Sequence, residues 1–136
     1  MKTWLAVILV AALVTVVTPA LAAGKANPPI AVPKYNPAAE VTLKGTVDDV
    51  RDRECPVSGG MGAHLILKTN DGKTIEVHLA ATSFMKNYEL VFHKGDQIEV
   101  TGAKVVFEGV ETIFAREVMR GKDTFAFRDK DGNPVW

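Results

Sequence analysis

Two histidines and one cysteine are the residues of this chain best suited to chemistry. His64 and His78 each stand in a short run of alternating apolar and polar residues, and Cys55 is the single cysteine. The runs are His64-Leu65-Ile66-Leu67-Lys68 and Thr74-Ile75-Glu76-Val77-His78-Leu79, with the tight-turn signal Asn70-Asp71-Gly72 between them. Both must send their apolar side chains into the same core, which fixes the register. A three-residue loop with Gly72 in the left-handed region pairs Leu67 with Ile75, Leu65 with Val77, and His64 with His78. A two-residue loop would pair Leu65 with His78 and mix the faces. Residues directly opposed on antiparallel strands have Cβ atoms roughly 5 Å apart, close enough for two imidazoles to share one metal ion.

Cys55 and Met61 lie in the loop Cys55-Pro56-Val57-Ser58-Gly59-Gly60-Met61-Gly62 that leads into His64. Their soft sulfur atoms suit copper(I), and Met85 follows His78 at a distance that brings a third sulfur into range. One expected site is therefore His64 and His78 with Cys55 or Met61, holding a copper, zinc or iron ion. The alternative places His64 and His78 on the outer face of the sheet. There, with Cys55, Gly59, Gly60 and Met61, they form a recognition surface for a small ligand or an envelope protein. No His-x-His pair or methionine ladder accompanies the metal set, and two histidines alone leave a coordination shell incomplete. His93, beside Lys94-Gly95, reads as a solvated turn residue. No Ser-His-Asp set, carboxylate pair or phosphate-cradling loop stands out. Ser58-Gly59-Gly60 has no following helix to present a nucleophile. The expectation is a protein that is not an enzyme.

The elements that must position these residues are mostly strands. Val41 to Val47, prolonged by Val50, alternates apolar and polar, with Gly45 at a point where a barrel strand would coil. The two histidine strands come next. The helical spacing of Phe84, Tyr88 and Val91 predicts one short helix over Thr82 to Leu90, capped by Thr82 or Ser83. Gln97 to Gly102 forms a fourth strand. Val105–Phe107 and Glu111–Val118 make a hairpin, and Thr124 to Trp136 holds a further one around Asp131-Gly132. The order predicts a mainly β domain over residues 40–136: a small OB-like β-barrel with one short helix after the third strand and an extra C-terminal hairpin. The expected core comprises Val41, Leu43, Val47, Leu65, Leu67, Ile75, Val77, Leu79, Phe84, Ile98, Val100 and Ile113, with Trp136 packed on the barrel.

Ahead of that domain, residues 1–22 read as a cleaved signal peptide. Lys2 supplies the early charge, Leu5 to Val17 is unbroken apolar sequence, and Ala20-Leu21-Ala22 ends it with small residues. Export to the periplasm or outside the cell follows, with no membrane span left after cleavage. Residues 23–39 carry Pro28, Pro29, Pro33 and Pro37 and read as an extended leader. Sixteen Lys and Arg balance sixteen Asp and Glu, and loss of Lys2 leaves fifteen basic residues. Near-neutrality argues against nucleic acid as a partner, since phosphate binding needs a basic surface. With one cysteine there is no internal disulfide.

Gly45-x-Val47, the Cys-Pro glycine loop, His64-Leu-x-Leu-Lys, Gly72 and Val77-His78-Leu79 together resemble a group of small exported bacterial OB-like proteins. That group is related to the domain of the magnetosome proteins MamS and MamX, and more loosely to the periplasmic bacterial OB-fold stress proteins. The ending Phe127-Arg128-Asp129…Gly132-x-Pro134-x-Trp136 is similar to the group's C-terminal signature. The resemblance implies the OB-like fold and an envelope location. Haem-bearing relatives use CxxCH motifs absent here, so electron transfer does not carry over. Three functions fit these features: an exported non-catalytic binding module, a metal-binding protein using the histidine pair, and a structural or envelope-stress partner protein.

Overall fold

The computed structural model describes residues 29–136. Residues 1–22, expected to be a signal peptide, and the start of the expected leader fall outside the described residues. Strand β1 spans Glu40–Cys55, β2 Gly60–Thr69, β3 Thr74–Ala81, β4 Gln97–Phe107, β5 Val110–Arg120 and β6 Asp123–Ala126. The single α-helix among the described residues, α1, is Thr82–Asn87, directly after the third strand. Sheet order is β3-β2-β1-β4-β5-β6. Every neighbouring pair in that order is antiparallel, and a parallel pairing of β3 with β5 (Val77 with Ile113, His78 with Phe114) closes the first five into a ring. This is the OB-like arrangement read from the sequence.

β1 runs well past Val50, where the apolar alternation stops. Its polar continuation Arg51–Glu54 is held by the β2 ladder, Arg51 opposite His64 and Cys55 opposite Gly60. Its first half pairs with β4 instead, so Gly45 belongs to both ladders. A Cβ at Gly45 would run into the Lys68 carbonyl and the Leu67 side chain. The two strands can cross this closely only because glycine stands there. β2 and β3 pair as the alternation requires: Leu67 with Ile75, Leu65 with Val77 and His64 with His78.

The inside of the ring holds Val47, Leu65, Leu67, Val77, Leu79, Ile98, Val100, Ile113 and Val118. Val41, Leu43, Ile75, Phe84 and Trp136 are half-buried against it. The helix is shorter than its apolar spacing suggests. Neither Thr82 nor Ser83 caps it: Ala81 is the N-cap, and the Thr82 hydroxyl donates instead to Asp52 Oδ1 at 3.1 Å. The chain then leaves the helix, with Glu89 at a positive φ of 53°. Met85 lies in the main core, not beside the histidines. His93 is exposed, as expected of a turn residue.

A second apolar cluster of Cys55, Phe107 and Phe114 lies apart from the main core, with Tyr35, Val57 and Val105 packed against it. The end of the leader is part of that cover. Tyr35 donates to Glu40 Oε1 at 2.6 Å, and Arg116 Nε donates to the same oxygen at 2.8 Å. Beyond β6, Phe127 is fully buried. The bridge Arg128–Pro134 then closes a small loop around Asp131-Gly132, on which the final hairpin expectation was centred. No helix among the described residues is long and apolar enough to cross a membrane.

Candidate metal centre

The alternation that sends Leu65 and Val77 inward must send His64 and His78 to the other side of the sheet. That side is not an exposed outer face. Both imidazoles are 0% exposed and Cys55 is 2% exposed. Phe114 and Trp136 stand 5.8 and 5.7 Å, ring centre to ring centre, from His78. The short turn Pro56–Ser58 brings Ser58 Oγ to 2.8 Å from His78 Nε2. The recognition surface expected from the sequence is therefore corrected at its centre, because its histidines and cysteine are under cover. Of its remaining members, Met61 is 46% exposed. Gly59 and Gly60 line the turn with open space where a side chain would project.

The covered side brings three donors together. One ligand atom from each of Cys55, His64 and His78 lies within 4.8 Å of the others. The two rings meet edge to face at 4.9 Å. β1 supplies Cys55 as its last residue, opposite Gly60, and the β2–β3 register supplies the histidine pair. Bulges shape the approach: the step from Ala63–Ala80 to His64–His78 leaves Leu79 unpaired, which bends β3 at the site.

Gly62 is what lets the donor residues pack this closely. A Cβ there would sit 2.6 Å from Ser58 Oγ, 3.0 Å from Cys55 Cβ and 3.3 Å from His64 Nε2. Any other residue would push a side chain in among the donors. Across a bound ion, donors at bond lengths of roughly 2.0 Å for nitrogen and 2.3 Å for sulfur stand at most about 4.3 Å apart. Three donors spread evenly around one ion stand roughly 3.5–3.7 Å apart, so a pair at the 4.8 Å limit would have to close by about one ångström.

The electrostatics keep both imidazoles neutral, the form that binds metal. Burial pushes His78 down to about 3, helped by the neighbouring His64 and by Arg128. Burial and then Arg53 lower His64, against the opposing pull of Glu76. His64 Nδ1 lies 2.8 Å from Glu76 Oε1, close but off the line of a hydrogen bond. Consequently neither nitrogen of His64, nor Nδ1 of His78, has a hydrogen-bond partner. An unmet buried donor or acceptor costs about 1–3 kcal/mol, and three in one place call for a reason. Glu76 is itself held by Arg53, Nη2 at 2.9 Å, so a small turn of the His64 ring would align Nδ1–H on an anchored carboxylate and leave Nε2 free for an ion.

Arg128 completes the surroundings. Its guanidinium lies over the rings of Trp136, Tyr35 and Phe114 at 4.9, 5.2 and 5.6 Å. Nη1 donates to the Gly132 carbonyl at 2.8 Å, and Nε is buried without a partner. Burial lowers its pKa from the ordinary guanidinium value, yet arginine keeps its proton in proteins. Sequence reasoning named Ser58 and Gly62 only as members of the Cys55–Gly62 loop and Arg128 only within the C-terminal motif, and gave Phe114 and Glu76 no role at the site. Glu76 was the findable one, since strand alternation puts it on the same side as His78.

No curated protein matches the chain. A family model described as the MamS/MamX magnetosome protein family matches residues 39–125, a stretch that carries Cys55, His64 and His78 and leaves the covering segment Phe127–Trp136 outside. On that match, which spans well over half of the sequence, the chain belongs to the MamS/MamX magnetosome protein family.

Proposed function

We propose that this chain is a non-catalytic, exported metal-binding module that serves the magnetosome and holds one transition-metal ion on Cys55, His64 and His78. The observation that carries the reading is the convergence of three buried donors, packed closely around Gly62 where no side chain intervenes. A nitrogen–sulfur donor set favours first-row transition metals over calcium and magnesium, which take oxygen. The burial of all three donors speaks for storage or transfer of an ion. A catalytic metal keeps an open position for substrate, whereas both imidazoles here are without solvent exposure and Cys55, 2% exposed, only edges a surface hollow beside Glu54, Pro56 and Glu108. Export, read from residues 1–22, would put the thiol and the imidazoles where ions are exchanged.

The test is metal loading of the protein with Cys55 kept reduced, followed by elemental analysis after desalting. The expected result is one transition-metal ion per chain in the wild type. Cys55→Ser and His64→Gln should each reduce binding by at least about a hundredfold, the upper range for losing a metal-site contact. Folded wild-type protein that takes up no copper, zinc or iron overturns the reading. So does binding that survives all three of Cys55→Ser, His64→Gln and His78→Gln.

A second reading rests on a different observation. An apolar cleft of about 400 Å³ opens between the β-ring and α1, lined by Val50, Leu79, Met85, Leu90 and Phe92 among others. It would suit a small apolar ligand, as a binding module requires. Binding there should be indifferent to Cys55→Ser.

A further inference from the structure

The charges around the donor set distinguish between ions, and this inference rests on the metal-binding reading above. Bound to metal, Cys55 is a thiolate and contributes one negative charge, while His64 and His78 are neutral ligands. A monovalent ion makes the centre neutral. A divalent ion leaves it with a net positive charge in a place where all three ligands are essentially without solvent exposure.

Two cations stand nearby, and they are not equivalent. Arg53 is matched by carboxylates on both sides, Glu76 Oε1 at 2.9 Å and Glu108 Oε2 at 3.1 Å. Arg128 meets no carboxylate among the described residues: its polar contact is a backbone carbonyl, and aromatic rings surround the rest. It is 7% exposed and packs on the rings of Phe114 and Trp136, which also flank His78. An unmatched guanidinium in a low-dielectric wall raises the energy of any net positive charge beside it, and does little to a neutral centre.

Coordination number argues the same way. The cluster offers two nitrogens and one sulfur, a set that meets the needs of a three-coordinate soft ion. A tetrahedral zinc(II) site needs a fourth ligand, for which the site's surroundings among the described residues offer the Ser58 hydroxyl, a neutral oxygen that removes no charge. Six-coordinate iron(II) would need carboxylates, and Glu76 is committed to Arg53 on the far side of the His64 ring.

We propose that the centre is selective for copper(I), with Arg128 acting as a buried positioning cation that disfavours divalent ions. In the binding step the Cys55 S–H bond breaks, an S–Cu bond forms and one proton leaves to solvent. The ion enters and stays as copper(I), so no electron is transferred. The Ser58 hydroxyl must swing off His78 Nε2 as that nitrogen turns to the ion.

The experiment is an anaerobic competition on wild-type protein with Cys55 reduced. Copper(I) is titrated against a chromogenic copper(I) chelator, and zinc(II) and iron(II) are titrated separately. Copper(I) is expected to bind one to one and to expel pre-loaded zinc(II) completely. In Arg128→Gln, zinc(II) affinity should rise roughly tenfold, the size of effect a unit charge exerts across one ring at intermediate dielectric, while copper(I) affinity moves much less. Zinc(II) or iron(II) held as tightly as copper(I) on the same three residues overturns the selectivity and leaves the metal site standing. Equal movement of both ions in a folded Arg128→Gln removes the role given to the arginine. If that variant does not fold, wild-type selectivity still decides the preference, and Trp136→Ala, which loosens the wall that holds the cation, takes its place in testing the arginine. No ion bound by folded wild type removes this inference and the metal-binding reading together.

Discussion

His78 has no solvent exposure and an aromatic ring on either flank, so its charged form is strongly disfavoured in the folded chain. The sign of the consequence follows from linkage. An unfolded histidine takes up its proton near pH 6.5, whereas folded His78 does so only near 3. Between those values the unfolded chain holds more protons, so the stabilising contribution is complete above pH 6.5 and is lost progressively as pH falls toward 3. His64, shifted in the same direction, adds to the loss. Urea midpoints of the metal-free protein should therefore fall from pH 7 to pH 4.5, and the slope should be shallower in His78→Gln. A midpoint independent of pH across that range would contradict the neutral pair. Gly62 gives a second residue-scale prediction. Gly62→Ala places a methyl against Ser58 Oγ, Cys55 Cβ and His64 Nε2. The serine can turn away, so the fold should lose only about 1–3 kcal/mol, in the usual range for overpacking. Metal affinity should drop at least tenfold, measured by the same loading assay.

At the scale of elements, the centre depends on parts that lie far apart in the sequence and meet through the sheet ladders. β1 delivers Cys55 at its end, and β2 and β3 deliver the histidines by register. Pro56–Ser58, Phe114 of β5 and the segment Phe127–Trp136 then close over them. The last of these is held locally, by Asp129 accepting from Asn133 and Asp131 and by Arg128 reaching back to Gly132. Ending the chain after Phe127 would strip Arg128 and Trp136 from the site while leaving every strand of the ring and the buried Phe127 in place. The expected outcome is a folded but less stable domain with much faster release of its ion, followed by stopped-flow transfer to a chelator. Unchanged release would show that the C-terminal segment is not the cover. Gly45 matters at the same scale. Gly45→Val would force β1 away from the Lys68 carbonyl and should lower the melting temperature by roughly 10–20 °C, consistent with a cost of about 2–3 kcal/mol in a domain of this size.

For the whole molecule, binding an ion to the folded form alone must stabilise the fold. A ligand at about a thousand times its Kd adds roughly 4 kcal/mol. Copper(I)-loaded protein should therefore melt well above the metal-free form, and the increment should vanish in Cys55→Ser. This readout is independent of any activity. It also separates the two readings of the chain, because an apolar ligand in the cleft beside α1 would stabilise Cys55→Ser as well as the wild type.

The sequence by itself determined the β architecture, the strand order and the opposition of His64 and His78. Those follow from period-two alternation and from turn residues such as Asn70-Asp71-Gly72, which are local signals. It also pointed to Cys55 as a companion of the pair. It could not show that the histidine side of the sheet is covered, since strand alternation separates two faces without saying what lies against the second. Phe114, Arg128 and Trp136 arrive there from 36 to 58 residues beyond His78, through ring closure by β3 and β5 and the return of the C-terminal loop. The same limit explains the helix, where the apolar spacing of Tyr88 and Val91 runs on past Asn87 while both side chains stay in solvent. Only the tertiary structure decided that the histidines are neutral, dry and within reach of the thiol, because burial is set by residues distant in sequence.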